Sequence, residues 1–184
     1  MIPQVFPVTA STKVSNLIAW LNDRATFVND PNEVETGIYI PRTVVLVREK
    51  RRAEWLADSL RQHQYRAEAL HGGSSPTRRE LLAKEFRCNS FDVVVMSTAV
   101  ELLNNFPVPK FVVVFDLPTM LSAHLYLISD MMLVDVEASN DKLVLQTIYG
   151  FMLASGRNIP EWMKRSVRDV GEEWLAVRHP NRAG

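Results

Sequence analysis

Short apolar runs alternate with helical repeats through the middle of this chain. Residues 43–47 (TVVLV), 92–96 (DVVVM) and 111–115 (FVVVF) are rich in β-branched side chains, which is typical of strands buried on both faces of a sheet. Residues 66–70 alternate polar and apolar side chains and predict a further strand. Because helical segments separate these strands, the pattern predicts βαβ units and a parallel sheet.

Apolar residues at helical spacing predict helices before, between and after the strands, at residues 13–21, 53–63, 76–86, 142–154 and 159–167. The residues expected to face inward are Trp55, Leu56 and Leu60 in the second of these helices and Leu81, Leu82 and Phe86 in the third. Ser75 followed by Pro76 predicts the start of the third helix, because serine is a favourable N-cap and proline a favourable first helical residue.

The flanking segments are less regular. Residues 24–42 include two prolines and a glycine, which predict a long loop before the first central strand. We expect one domain at residues 13–168 that contains this loop insertion. Residues 1–12 are expected to form an N-terminal extension, and residues 169–184 a C-terminal tail that is frayed at its end.

Composition narrows the class of protein. The chain has 184 residues, of which 47% are hydrophobic and 23% charged, as in an average soluble globular domain. Its 21 basic and 21 acidic side chains give a net charge of zero. A disordered chain, a strongly basic nucleic-acid binder and an acidic solvating tail are therefore disfavoured.

Cysteine and histidine usage excludes two further kinds of site. Cys88 is the only cysteine, so neither a disulfide framework nor a cysteine zinc site can form, and His71 has no partner at a metal-binding spacing.

No apolar run approaches the length of a membrane span, and residues 1–10 lack the features of a signal peptide. We therefore expect an intracellular, cytoplasmic protein without a metal, a cofactor or a membrane contact.

Glycine is unevenly placed along the chain. The sequence has seven glycines, and none lies between Gly73 and Gly150. Loops that hold nucleotide phosphates usually need glycine for positive φ angles and close backbone approach. A phosphate loop in this interval would have to form without it.

Cations follow the first central strand, in residues 44–54 (VVLVREKRRAE). In open α/β sheets ligands bind at the carboxyl ends of strands, so these side chains are either a ligand site or a solvated helix start. Gly72 and Gly73 follow the next strand. They could admit a phosphate to the backbone, although a simple strand-to-helix turn accounts for them equally well.

Four segments together resemble the second RecA-like domain of DEAD-box RNA helicases, and most of all the Vasa/Belle-like subgroup. These segments are residues 44–60, 69–86, 93–100 (VVVMSTAV) and 111–118 (FVVVFDLP), in the order and spacing of that family. Residues 159–163 (IPEWM) resemble the end of the subgroup's domain. The resemblance implies an α/β fold, a RecA-like three-layer sandwich with a mostly parallel central sheet flanked by helices.

The same resemblance implies residual RNA contacts. The family positions that contact RNA correspond here to Lys50, Arg51, Gly72, Arg79 and Thr98. Glu49, Gly73 and Pro76 stand where the family has threonine, aspartate and glutamine.

The family's ATP-binding motifs are altered. Residues 103–106 (LNNF) stand where the family has Arg-Gly-Leu-Asp, and residues 126–133 (YLISDMML) replace its arginine-rich motif VI, with Asp130 at an arginine-finger position. Loss of one arginine finger typically lowers the rate by about 10³–10⁵-fold. The sequence also has neither a G-x-x-x-x-G-K-[ST] loop nor Asp-Glu-Ala-Asp, so we expect no catalytic residues and no ATP hydrolysis.

Apolar residues replace the phosphate-facing positions of motif VI. They are core residues of an abandoned site, or they form an exposed patch that binds a partner. The partner-binding candidates are Leu127, Met131, Met132 and Leu133. Residues 131–136 are either a shortened edge strand or a segment from which that strand has been lost.

Two functions are compatible with these features. The first is a catalytically inactive helicase-like domain that acts as a protein-interaction or scaffold module in a ribonucleoprotein or small-RNA pathway, located in cytoplasmic ribonucleoprotein granules. Its partner would be an RNA-granule component or an active helicase. The second is weak, ATP-independent RNA binding, for which the sequence pattern indicates no aromatic side chain that stacks on bases.

Overall fold

The computed structural model describes residues 3–28, 37–97 and 106–178. Along the chain its elements are β1 (Gln4–Val8), α1 (Lys13–Asn22), β2 (Thr26–Val28), β3 (Gly37–Tyr39), β4 (Thr43–Val47), α2 (Lys50–Gln62), β5 (Ala67–Leu70), α3 (Pro76–Arg87), β6 (Val93–Ser97), β7 (Phe111–Val114), α4 (Ala123–Ile128), β8 (Met131–Asp135), α5 (Ser139–Ala154) and α6 (Glu161–Arg178). No helix within these ranges is long and apolar enough to cross a membrane.

A six-stranded sheet forms the centre of the molecule, in the order β1-β8-β7-β4-β6-β5, and each neighbouring pair is parallel. Helices α1 and α2 cover one face, and helices α3 to α6 contribute to the core on the other. All five residues of β4, β6 and β8 are buried, and the β-branched sequences of β4 and β6 agree with this burial. The predicted α/β three-layer architecture is therefore confirmed.

Helix α3 begins as its sequence predicts. The Ser75 hydroxyl accepts a hydrogen bond from the backbone N–H of Arg78 at 3.2 Å, and Pro76 is the first helical residue. The serine thereby satisfies one of the N–H groups that a helix start leaves without a partner.

Two side chains that were expected to face inward are exposed. Trp55 is 46% exposed because the buried face of α2 is formed by Ala53, Leu56, Ala57 and Leu60. Leu81 is 45% exposed because Leu82 and Phe86, four positions apart, form the buried face of α3. The other residues predicted to face inward, Leu56 and Leu60 in α2 and Leu82 and Phe86 in α3, are buried, so only one border residue of each apolar stripe was misplaced.

The segment 24–42 is not only a loop. Strands β2 and β3 pair antiparallel, with Thr26 opposite Tyr39, and residues 29–36 between them lie outside the described residues. The expectation of a continuous loop was wrong because short β-branched and aromatic stretches within this segment find each other as partners.

Regular secondary structure continues beyond both predicted boundaries of the domain. Residues 4–8, which were expected to belong to an extension, form β1 and pair with β8. Pro7 is compatible with this position because β1 is an edge strand of the sheet. Helix α6 continues to Arg178, beyond the expected boundary at residue 168, whereas residues 179–184 lie outside the described residues.

Candidate functional site at the carboxyl edge of the sheet

Strands β4 and β7 are neighbours, but the chain leaves them toward opposite faces. Helix α2, which follows β4, lies on one face, and α4, which follows β7, lies on the other. In open α/β sheets the crevice at such a point is the usual place for a ligand. Here charged side chains occupy it: Lys13, Arg48, Arg52, Asp116 and Asp141, which we call the buried ion cluster.

Two carboxylates hold the buried ion cluster together. Asp116 lies 2.9 Å from the Lys13 amine and 3.4 Å from Nε of Arg52. Asp141 accepts hydrogen bonds from Nη2 of Arg48 at 3.3 Å and from the backbone N–H of Asp135 at 2.9 Å. Because Lys13 begins α1, Asp116 follows β7 and Asp141 lies in α5, the cluster joins elements from both faces of the sheet.

The sequence does not reveal this cluster as a unit, although Arg48 and Arg52 lie in the cation-rich stretch at residues 44–54. Its members come from distant segments, and Lys13 and Asp116 are 103 positions apart. The available signal was an aspartate directly after an apolar strand, because such a residue lies at the carboxyl edge of the sheet. No pattern in the sequence indicated that Lys13 would be its partner.

A second group of cations lies at the same edge, and two of its three members are exposed to solvent. It consists of Lys50, Arg51 and Arg79, which we call the open cation cluster. A Cβ atom on Gly73 would lie 2.8 Å from the Lys50 amine, so Lys50 lies against the loop that follows β5. Within the part of the chain that the structure describes, the side chains of Lys50 and Arg51 form no hydrogen bond or ion pair. Both cations are therefore available to an anionic ligand.

Arg79 shapes the loop as well as carrying charge. Its Nε donates to the carbonyl of Ser74 at 3.0 Å, and its Nη2 donates to the carbonyl of Gly72 at 2.9 Å. These bonds hold residues 72–74 against the start of α3. Arg79 is thus half-buried and in part structural, although resemblance alone implied an RNA contact.

His71 fixes the other side of this loop. Its Nδ1 accepts a hydrogen bond from the backbone N–H of Gly73 at 3.1 Å, and its Nε2 lies 2.8 Å from a carboxylate oxygen of Glu54. With Nδ1 as the acceptor, Nε2 carries the proton and donates it to Glu54. The loop after β5 is therefore tied to α2, which carries Lys50 and Arg51.

Four of the five predicted RNA-contact residues are described, and they lie at one edge of the sheet. Lys50 and Arg51 follow β4, whereas Gly72 and Arg79 follow β5, and these two strands flank β6. Thr98 lies outside the described residues. Among the described residues, no group of three histidine, cysteine, aspartate or glutamate side chains is arranged to hold a metal ion.

Three of the four partner-binding candidates lie in the core. Met131, Met132 and Leu133 are at most 1% exposed because β8 is an interior strand between β1 and β7, with buried side chains on both faces. Their burial contradicts the exposed patch and agrees with the alternative in which these residues belong to the core. Residues 131–135 do form a strand, but it lies inside the sheet and not at its edge. Leu127 differs: at 57% exposed, it remains accessible to a partner.

The segment that corresponds to motif VI makes structural contacts. The Asp130 carboxylate accepts a hydrogen bond from the backbone N–H of Val112 at 2.8 Å, and the Asp130 N–H donates to the Val112 carbonyl at 2.7 Å. Ser129 is buried, and its hydroxyl donates to the carbonyl of Leu125. Asp130 therefore joins the starts of β7 and β8, at the amino edge of the sheet.

A further ion pair lies at this amino edge. Nη2 and Nε of Arg66 contact the two carboxylate oxygens of Asp92 at 2.8 and 3.1 Å. Burial raises the pKa of Asp92, and the Arg66 guanidinium offsets only part of that shift.

The sequence of this chain is similar to helicase domains of known proteins. The family described as Helicase conserved C-terminal domain matches residues 34–131. Eukaryotic initiation factor 4A-1 of Arabidopsis thaliana is 29% identical over 80 residues, which are 44% of this chain and 19% of the relative. The match thus spans about a fifth of the length of that curated relative.

Solved structures share the fold. The C-terminal domain of S. cerevisiae Dbp5, bound to Gle1 and IP6, has a TM-score of 0.60 and 18% identity, and the match covers 90% of this chain and 95% of that one. The E. coli DEAD-box protein SrmB, bound to the regulator of ribonuclease activity A, has a TM-score of 0.57 and 19% identity, with coverage of 80% and 84%. The RecA-like fold implied by resemblance is that of these DEAD-box domains.

Proposed function

Because this chain belongs to the family of helicase conserved C-terminal domains, we propose that it acts by binding, without hydrolysing ATP, as a protein-interaction module in an RNA-related pathway. The proposal includes a place in cytoplasmic ribonucleoprotein granules, among factors similar to the Vasa/Belle-like subgroup. The whole-protein activities of the curated relatives are not transferred, since the match spans only about a fifth of the relative's length.

The observation that carries the proposal is the role of Asp130. At this position resemblance implies an arginine finger, but here a carboxylate joins β7 to β8 through the Val112 N–H. Asp130 therefore lies at the amino edge of the sheet, away from the carboxyl edge where α/β sheets bind ligands, so this position supplies no cation to stabilise a transferring phosphate. The chain also lacks the P-loop sequence that cradles nucleotide phosphates.

Measurement of ATP turnover tests this part of the proposal. The purified chain is expected to release no phosphate from ATP above the rate of a buffer blank, with or without RNA. A rate that scales with protein concentration and survives repurification would contradict the proposal.

A protein partner is supported by an exposed apolar side chain and by related domains. Leu127 is 57% exposed on α4, and Met120, in the loop before this helix, is 88% exposed. Dbp5 and SrmB were solved with the proteins Gle1 and the regulator of ribonuclease activity A, respectively. We propose that the α4 surface, defined by Met120 and Leu127, contacts the protein partner.

The α4 surface is tested by capture from nuclease-treated extract. Leu127→Asp should abolish retention of the partner, because a charge in an apolar contact must be desolvated on binding. Leu153→Asp is the matched control, since Leu153 is 63% exposed on α5. Loss of every partner on nuclease digestion, or equal loss in both variants, contradicts the proposal.

RNA binding without ATP is a second candidate function, and the open cation cluster favours it. Lys50 and Arg51 are exposed, lie at the edge where ligands bind in α/β sheets, and have no carboxylate partner among the described residues. Titration of a 12-nucleotide single-stranded RNA at 50 and 200 mM salt tests it. We expect weak binding that falls steeply with salt, because the contacts are to phosphates; absence of binding at 50 mM excludes this function.

A further inference from the structure

We propose that Trp55 stacks on a base of single-stranded RNA whose phosphates contact Lys50 and Arg51. The inference rests on the second proposed function, RNA binding at the open cation cluster. It adds a base contact to a site that otherwise consists of cations and backbone.

Trp55 is exposed in a way that suits stacking. At 46% exposed, it is the most accessible aromatic residue among those whose side chains the structure describes. Each RNA base has a flat π-face, so an accessible aromatic ring binds single strands with little dependence on sequence.

The Trp55 ring is held in place before any ligand binds. The Arg52 guanidinium lies over it, 4.8 Å from the ring centroid, and Nε of Arg52 lies 3.4 Å from the Asp116 carboxylate. Arg52 also lies 5.4 Å from the centroid of the buried Phe115 ring. A side chain already ordered by such contacts loses less conformational entropy when it binds a ligand.

Cations for the phosphates lie next to the ring. Arg51 precedes Trp55 by four positions in α2, so their side chains lie on the same face of the helix. Lys50 begins the helix and lies against Gly73. A single strand that crosses the first turn of α2 therefore meets Lys50, Arg51 and then the Trp55 ring.

The charge near Trp55 favours RNA over a protein as the ligand. An exposed tryptophan is also a common anchor in protein interfaces. Here, however, Arg51 lies on the same face of α2 as Trp55 and Lys50 begins that helix, and neither cation has an ion-pair partner in the described ranges, which suits a polyanion. If Trp55→Ala leaves RNA affinity unchanged, stacking is excluded, and Trp55 stays available as an anchor for a protein ligand.

The test compares two ligands of the same length: a 12-nucleotide oligoadenylate and the corresponding abasic oligomer, each titrated by fluorescence anisotropy. Trp55→Ala should weaken oligoadenylate binding by about 5- to 150-fold, the range for loss of one stacked base. Binding of the abasic oligomer should not change, and Trp55→Phe should retain most of the affinity because it keeps an aromatic face.

A second variant separates stacking from charge. Lys50→Ala should weaken binding of both oligomers and lower the slope of log K against log salt by about 1, whereas Trp55→Ala should leave that slope unchanged. Circular dichroism should show an unchanged fold in each variant.

Two results overturn the inference. If the chain binds oligoadenylate but Trp55→Ala has no effect, or weakens both oligomers equally, stacking is excluded while RNA binding at the open cation cluster stands. If the unaltered chain binds neither oligomer at 50 mM salt, the second proposed function fails as well.

Discussion

Two groups of charged side chains lie at the same edge of the sheet and differ in how their charges are balanced. In the buried ion cluster, Lys13 is 4% and Asp116 6% exposed, and a short ion pair joins them. In the open cation cluster, Lys50 and Arg51 are exposed and have no ion-pair partner among the described residues. A charge removed from water is costly unless it is paired, whereas a solvated cation needs no partner. The first group therefore stabilises the fold, and the second can bind a ligand.

The buried ion cluster also shows where surplus charge lies. Its three cations face two carboxylates, Asp116 and Asp141, and the side chains of Arg48 and Arg52 are 37% and 38% exposed. The most buried cation, Lys13, contacts both carboxylates, at 2.9 and 3.9 Å. The positive charge that is not neutralised thus lies toward solvent, next to the cations of α2.

The largest expected effect comes from breaking the buried pair. Asp116→Ala should lower the free energy of unfolding by about 3–5 kcal/mol, because it leaves the Lys13 amine buried beside only the more distant Asp141. Chemical denaturation measures this change. The double variant Lys13→Met/Asp116→Leu is the control, and it should be much closer to the unaltered chain because it removes both charges. Similar losses in the single and double variants would contradict the comparison.

A partly buried charge should have an intermediate effect. Asp130→Ala should lower the free energy of unfolding by about 1–3 kcal/mol, because the Val112 N–H loses its carboxylate partner. Asp130→Asn is the matched variant, since its side-chain oxygen can still accept that hydrogen bond. If alanine and asparagine have the same effect, the hydrogen bond is not the cause.

Exposed cations should have little effect on stability. The double variant Lys50→Ala/Arg51→Ala should leave the denaturation midpoint nearly unchanged, because neither side chain is buried or paired among the described residues. The same variant should lower the salt slope of RNA binding by about 2, one for each phosphate contact. A marked loss of stability would show that these cations belong to the fold and would remove the contrast between the two clusters.

The smallest expected effect is on the pH dependence of stability, at Asp92. Burial raises its pKa above the ordinary value of 3.8, so the folded chain binds a proton at a higher pH than the unfolded chain. This residue's contribution therefore disfavours folding at neutral pH, and the penalty is relieved as the pH falls through the raised pKa toward the ordinary value. The free energy of unfolding of the unaltered chain, minus that of Asp92→Asn, should therefore rise as the pH falls over that interval. A difference that falls there would contradict the direction of the shift.

Local patterns were sufficient to predict most central elements. The β-branched runs at β4, β6 and β7, and the Ser75-Pro76 start of α3, specify their own structure through side-chain packing and capping. Strand β1 was missed because its pairing with β8 depends on a partner far along the chain. The same reason applies to the Lys13–Asp116 ion pair.

The placement of a residue at the edge of the sheet could be predicted where that residue follows the end of a strand. Lys50 and Gly72 lie at one edge because parallel strands place the residues that follow them together. The exposure of Trp55 was not predicted, because an apolar residue at the border of a helical stripe can face either way. Met131 is buried in the core between the sheet and helices α1 and α2, and no local pattern shows that these helices cover it.

The distance along the chain between Lys13 and Asp116 has a consequence for the order of folding. The ion pair joins residues 103 positions apart, and β1 pairs with β8, which follows Asp116. During synthesis, β1 and α1 leave the ribosome before the other strands of the sheet, and β1 cannot pair until β8 has been made. Closing so large a loop costs more conformational entropy than forming a local helix or turn. The pairing of β1 with β8 is therefore expected to be late and slow. Until then Lys13 stays hydrated, and its desolvation accompanies the final closure of the domain.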